Sequence, residues 1–176
     1  MPENHCDTMN ITIIGMAGAG KSTIGKLLAK KLGYRFIDID KVVEQKSRKS
    51  LQELIDSEGE RALLELEEET VLGIQLNSTD KYVISPGGSI IYSRPAMEFL
   101  KTQSTVIFLD VSFEIITKRL SNFATRGMVG IRNKSLKELF DERRILYNKY
   151  ADITIKLDKQ NKVSETVDHI IKCLNK

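Results

Sequence analysis

The chain has 176 residues, of which 41% are hydrophobic and 29% charged, with a net charge of +3 at neutral pH. That length suffices for one domain with a sizeable core, and the balance is that of an ordinary globular protein. No apolar run approaches the roughly 18 residues of a membrane span, and so mild a positive charge suits a small anionic ligand better than nucleic acid.

Residues 1–9 are polar and are expected to form a flexible tail, leaving 10–176 as a single domain. The tail holds His5 and Cys6, and their counterparts His169 and Cys173 lie near the far end. Two thiols make neither a disulfide framework nor a zinc motif, and the first residues lack a basic-then-apolar leader pattern. A cytoplasmic protein is therefore expected. Asn10–Ile14 predicts a short buried strand, and the apolar spacing of Ile24, Leu27, Leu28 and Leu32 predicts a helix over 20–32 ended by Gly33. Arg35–Asp38 predicts a second strand, 42–45 and 51–55 short helices, and 60–76 a longer one. The basic stretch Lys41–Lys49 is interrupted by Val42, Val43 and Glu44, as on a solvated helix face. Tyr82–Ser85 predicts a strand broken by Pro86-Gly87-Gly88, followed by a helix over 95–100 and the strand "TVIFLD" at 105–110. A helix over 113–120, an arginine-bearing loop over 122–134, a helix over 135–150, an edge strand over 153–157 and a helix over 163–174 complete the pattern. Strands and helices alternate throughout, which favours a parallel sheet with helices on both faces.

The stretch Gly15-Met16-Ala17-Gly18-Ala19-Gly20-Lys21-Ser22 fits G-x-x-x-x-G-K-[ST] at every fixed position, between a predicted strand and a predicted helix. Glycines let backbone N–H groups turn inward around phosphates, and the helix N-terminus adds partial positive charge there. Gly15, Gly18, Ala19, Gly20 and Thr23 would shape this cradle. Lys21 would reach the β- and γ-phosphates, and the Ser22 hydroxyl would bind Mg²⁺. A dinucleotide-binding loop is excluded because Thr23 stands where its third glycine belongs. A nucleotide-hydrolysing switch fits poorly as well. Its D-x-x-G match, Asp56–Gly59, follows a helical segment rather than a strand, and Asn148–Asp152 misses the guanine-reading spacing by one residue.

Asp38 and Asp40 follow a short strand, where alternate positions of extended chain point the same way. One could hold Mg²⁺-bound water and the other an attacking hydroxyl, although a helix N-cap is the ordinary use of such an aspartate.

Together these residues resemble the shikimate kinase family. The resemblance spans most of 10–175 and rests on "GMAGAGKSTIGKLLAKKLGYRFIDID", "SLQELIDSEGE", "PGGS", "NFATRGMVG" and "DERRILYNKYAD". It implies a P-loop NTPase-type three-layer α/β sandwich with a five-stranded parallel sheet and a lid loop near 121–134. It implies an ATP- and Mg²⁺-dependent kinase that phosphorylates a hydroxyl of a cyclic polyol acid, converting shikimate to shikimate 3-phosphate. A monomer is expected. Under it, Asp40 holds the acceptor hydroxyls and Asp38 supports Mg²⁺ through water. Gly87 and Gly88 let the backbone approach the acceptor, Glu67 orders the pocket and Arg143 pairs with the acceptor's carboxylate. Arg119 packs on adenine, and Arg126 closes from the lid over the charge that develops between the phosphates.

Three departures from the family pattern stand out. The family's phenylalanine–arginine pair, whose arginine forks the acceptor carboxylate, is here Leu63-Leu64, and Arg61 on the same helix should point away from the vacated spot. The third glycine of its triple-glycine run is Ser89, and the proline after the lid arginine is Gly127. These changes fall on or near the acceptor side. They leave open a kinase acting on a different polyol or hydroxy acid, or a non-catalytic ATP-binding regulator.

Overall fold

The computed structural model describes residues 10–121, 128–130, 133–158 and 161–175. The expected tail with His5 and Cys6, and the lid residues Arg126 and Gly127, lie outside the described residues. In chain order the elements are β1 (Asn10–Ile14), α1 (Lys21–Leu32), β2 (Arg35–Asp38), α2 (Ile39–Ser47), α3 (Leu51–Glu58) and α4 (Glu60–Leu72). Then come β3 (Tyr82–Ser85), a 3₁₀ turn (Ile90–Tyr92), α5 (Arg94–Gln103), β4 (Ser104–Val111), α6 (Phe113–Ser121), α7 (Leu136–Tyr150), β5 (Ile153–Leu157) and α8 (Val163–Leu174).

The strands form one parallel sheet in the order β2-β3-β1-β4-β5. The apolar run of β1 puts it at the centre, with Ile11, Ile13 and Ile14 fully buried. Burial of both its alternating sets of side chains requires cover on both faces, as crossover helices give a parallel sheet. Even its one polar interior residue is satisfied: Thr12 bonds to the Ser104 hydroxyl, which donates to the Leu100 carbonyl. Edge strand β5 alternates inward and exposed positions, with Ile155 buried and Ile153 and Leu157 half-buried, as its sequence predicts.

Helix starts follow local chemistry. Ser50 and Ser135 form capping boxes with Glu53 and Glu138, which fixes where α3 and α7 begin. Two expectations are corrected. Helix α4 ends at Leu72, where the Gly73 N–H closes back on the Glu69 carbonyl, instead of running to 76. Residues 42–45 are only the middle of α2, which begins at Ile39 directly after β2. Asp40 therefore sits in a helix's first turn and does not share a strand face with Asp38.

The strand order reverses on either side of β1, which opens a crevice beyond the carboxyl ends of the strands at that point. The β1–α1 loop, the β2–α2 junction and the turn after β3 all lie at those ends.

Candidate active site

The loop after β1 folds around its own lysine. Lys21 Nζ donates to the carbonyls of Gly15 at 2.9 Å and Met16 at 3.1 Å, which points the ammonium back over the loop. Gly20 caps α1 in the left-handed region at φ 92°, a conformation costly for any residue with a Cβ. A cleft of about 870 Å³ opens beside this loop. Ala19, Gly20, Ser22 and Thr23 line one side, and Arg119 of α6 and Val163 of α8 line another. Arg119 donates to the Gly18 carbonyl at 2.8 Å, which holds it against the phosphate loop.

Asp38 occupies the N-cap position of α2 but makes no side-chain cap bond. Its Oδ2 instead accepts from the Ser22 hydroxyl at 2.9 Å. This pair is a hard-oxygen donor set of the kind Mg²⁺ uses beside phosphates and water. Among the described residues no group of three or more histidine, cysteine, aspartate or glutamate side chains forms a metal cage. The residues thus fit an ion that would take most of its ligands from a nucleotide and solvent.

A second recess, about 80 Å³, adjoins the cleft. Ala17, Lys21, Asp40 and Met128 line both spaces, so the lysine and the aspartate stand where the two meet. Glu67 and Arg143 line the far side of the recess. Arg143 is 1% exposed. Its Nη2 donates to the Val129 carbonyl at 2.7 Å, and its guanidinium lies 5.3 Å from the Tyr92 ring centre. Among the described residues no carboxylate forms an ion pair with it. Its helix neighbours Asp141 and Glu142 pair with Lys137 and Lys134 instead. A buried guanidinium without a carboxylate is costly unless a ligand neutralises it.

Gly87 and Gly88 follow β3 and form the floor of the recess. A Cβ on Gly87 would stand 2.0 Å from Glu67 Oε1 and 2.7 Å from Asp40 Oδ1. A Cβ on Gly88 would come within 3.1 Å of Arg143 Nη1 and 3.3 Å of the Tyr147 hydroxyl. Tyr147, itself fully buried, donates to the Gly88 carbonyl at 2.7 Å and so fixes this turn to α7. Ser89 donates to Glu67 Oε2 at 2.6 Å, while Glu67 Oε1 is buried without a partner.

Burial pushes Glu67 up to about 7, helped by the nearby charge of Asp40. Burial likewise pushes Asp40 up to about 6, against the opposing pull of Lys21. Burial lowers Lys21, and Asp40 counters it. A raised carboxyl costs stability as pH climbs from its unfolded value, near 4.5 for Glu67, through its folded one. Glu67→Gln should therefore match wild type at pH 5 and exceed it at pH 8 by roughly 1–3 kcal/mol, while losing activity. Urea midpoints at the two pH values read this directly.

Other expected residues are placed elsewhere. Arg61 is 91% exposed at its side chain and pairs with Glu65, so it does not replace a guanidinium at Leu64. Leu64 packs against the core, and Leu63 lines the recess. The D-x-x-G match at Asp56–Gly59 spans the end of helix α3. Asp152 is occupied by the Val106 N–H and Lys101. Cys173 lies 3.7 Å from His169 Nε2 on α8. Tyr92, Tyr147 and the Val129 carbonyl also shape the recess but carry no motif in the sequence. The first sits in a 3₁₀ turn without periodicity, and the second continues the buried stripe of Leu139, Phe140 and Arg143.

The family model for shikimate kinase matches residues 17–175. A shikimate kinase from Sulfurihydrogenibium sp. (strain YO3AOP1) is 35% identical over 162 residues, covering 92% of this chain and 95% of that protein. Among solved structures, shikimate kinase from Acinetobacter baumannii in complex with shikimate is similar with a TM-score of 0.85 at 29% identity, over 95% of this chain and 93% of that one. The Aquifex aeolicus enzyme follows with 0.79 at 32% identity, over 94% and 96%. With a parallel sheet and a lysine-bearing glycine loop at its switch point, matched by that family model and by these relatives, the chain belongs to the shikimate kinase family.

Proposed function

We propose that the chain transfers the γ-phosphoryl group of ATP to the 3-hydroxyl of shikimate. The observation that carries this reading is the buried Arg143, unpaired with any described carboxylate and facing a recess that shares Lys21 and Asp40 with the nucleotide cleft. A carboxylate on the acceptor would neutralise the guanidinium and orient the ring. Asp40 then holds the attacking hydroxyl and takes its proton as the new O–P bond forms and the bond to the departing ADP breaks. Lys21 meets the charge on the transferred group. Phosphoryl transfer depends on this kind of positioning and charge more than on covalent help. Ser22 and Asp38 would hold Mg²⁺, which supplies charge neutralisation across the phosphates. Arg126 acts from the lid, and Arg119 packs along the nucleotide. Residues 10–176 work as one kinase domain, monomeric and cytoplasmic, with no nucleic-acid partner. Among the described residues no helix is long and apolar enough to cross a membrane.

The test is turnover of shikimate with Mg²⁺–ATP, with the phosphorylated product identified. Arg143→Leu should raise KM for shikimate about 10- to 100-fold, the loss of one charge-assisted contact. KM for ATP should stay within about twofold of wild type. Absence of a shikimate phosphate from the wild-type reaction would overturn the assignment.

A further inference from the structure

Glu67 is a buried carboxylate with one satisfied oxygen and one bare oxygen. Such an atom is rare in a folded protein and costs free energy unless something donates to it. The bare Oε1 lies on the same side of Gly87 as Asp40 Oδ1, since a single Cβ there would strike both. What fixes this orientation is the 2.6 Å bond from the Ser89 hydroxyl to the other oxygen, Oε2. Ser89 is itself buried, and its side chain has no comparable use as a cap for the 3₁₀ turn it precedes.

We propose that Ser89 is a positioning residue that sets acceptor specificity. By holding Oε2 of Glu67 it aims Oε1 beside Asp40, so that two carboxylate oxygens receive two hydroxyl groups on adjacent carbons of the acceptor. The idea rests on the acceptor site proposed above and deepens it. One oxygen receives the hydroxyl that is phosphorylated, and the second reads its neighbour. A glycine at 89 would leave Glu67 without this restraint. An acceptor with isolated hydroxyls would leave Oε1 bare and pay for it.

The experiment compares wild type, Ser89→Ala, Glu67→Gln and the double variant, with shikimate and with the analogue lacking the hydroxyl next to the phosphorylated one. Ser89→Ala should raise KM for shikimate about tenfold with kcat within about threefold, and should change KM for the deoxy analogue by less than about twofold. In the Glu67→Gln background the same substitution should change KM for shikimate by less than about twofold. Equal rises for both acceptors, or a rise that persists without the carboxylate, would overturn the proposal and leave Ser89 a packing residue. A second readout needs no turnover. The infrared band of the protonated Glu67 carboxyl, assigned by its loss in Glu67→Gln, should titrate at higher pH in Ser89→Ala. The charged groups around it, Asp40 of α2, Lys21 of α1 and Arg143 of α7, are unchanged in that variant. If wild type fails to phosphorylate shikimate, the acceptor reading falls alone; an unmoved carboxyl titration sinks the role given to Ser89.

Discussion

Lys21→Ala is expected to lower kcat at least about 10³-fold while the protein stays folded, a barrier increase of roughly 4 kcal/mol. Among the described residues, Lys21 is the only cation that lines both the cleft and the recess. Its two bonds to the Gly15 and Met16 carbonyls keep it against that loop, as the proposed transfer requires. Its loss should cost little stability, because burial already works against the charged form of this side chain. The removal has a second consequence. Asp40 and Glu67 lose a cation that now restrains their upward shift, so both should titrate at still higher pH. Initial rates at saturating ATP and shikimate, beside circular dichroism of the same sample, check both parts. Activity above a few per cent of wild type would remove Lys21 from the proposed role.

The phosphate loop was legible because its chemistry is local. Each residue of Gly15–Ser22 acts within a few positions of its neighbours, so a strand before and a helix after suffice to place it. Asp38 and Asp40 were legible as a pair but not in geometry. Their convergence comes from the abrupt β2–α2 turn, and extended-chain alternation misplaces Asp40. Arg143 could be read in two ways until α7 was seen in place. An arginine on the buried stripe of a helix is either a surface ion pair wrongly phased or a charge held inside for a ligand. Burial at 1% exposure, with Asp141 and Glu142 paired to lysines, rules out the first, and the ligand role is the reading proposed above. The Ser89–Glu67 bond spans 22 residues and joins the start of a 3₁₀ turn to α4. Nothing in local periodicity encodes a contact of that kind, because it depends on how two crossovers pack at the end of β3.

Gly87→Ala should be the most damaging single-methyl change in the acceptor recess. The glycine's backbone is not in the left-handed region, so the penalty arises from space alone. The added carbon would stand 2.0 Å from Glu67 Oε1, 3.0 Å from Glu67 Cδ and 2.7 Å from Asp40 Oδ1, well inside contact distance for all three. Glu67 cannot swing clear without breaking its bond to Ser89, and the turn after β3 cannot lift without straining Tyr147's bond to Gly88. Overpacking of this kind costs typically 1–3 kcal/mol, and here it also fills the space between the two carboxylates. We expect kcat/KM for shikimate to fall at least about 100-fold, with ATP affinity within about threefold of wild type, measured by calorimetric titration. The adjacent Gly88→Ala, whose nearest conflict is 3.1 Å from Arg143 Nη1, should be milder. Combining Gly87→Ala with Glu67→Ala separates the two effects. Shortening Glu67 removes the worst clash, so thermal stability should recover while activity does not. Recovery of both would show that the methyl group acts only by packing against Glu67, and that turnover needs neither the space beside Asp40 nor the Glu67 carboxylate.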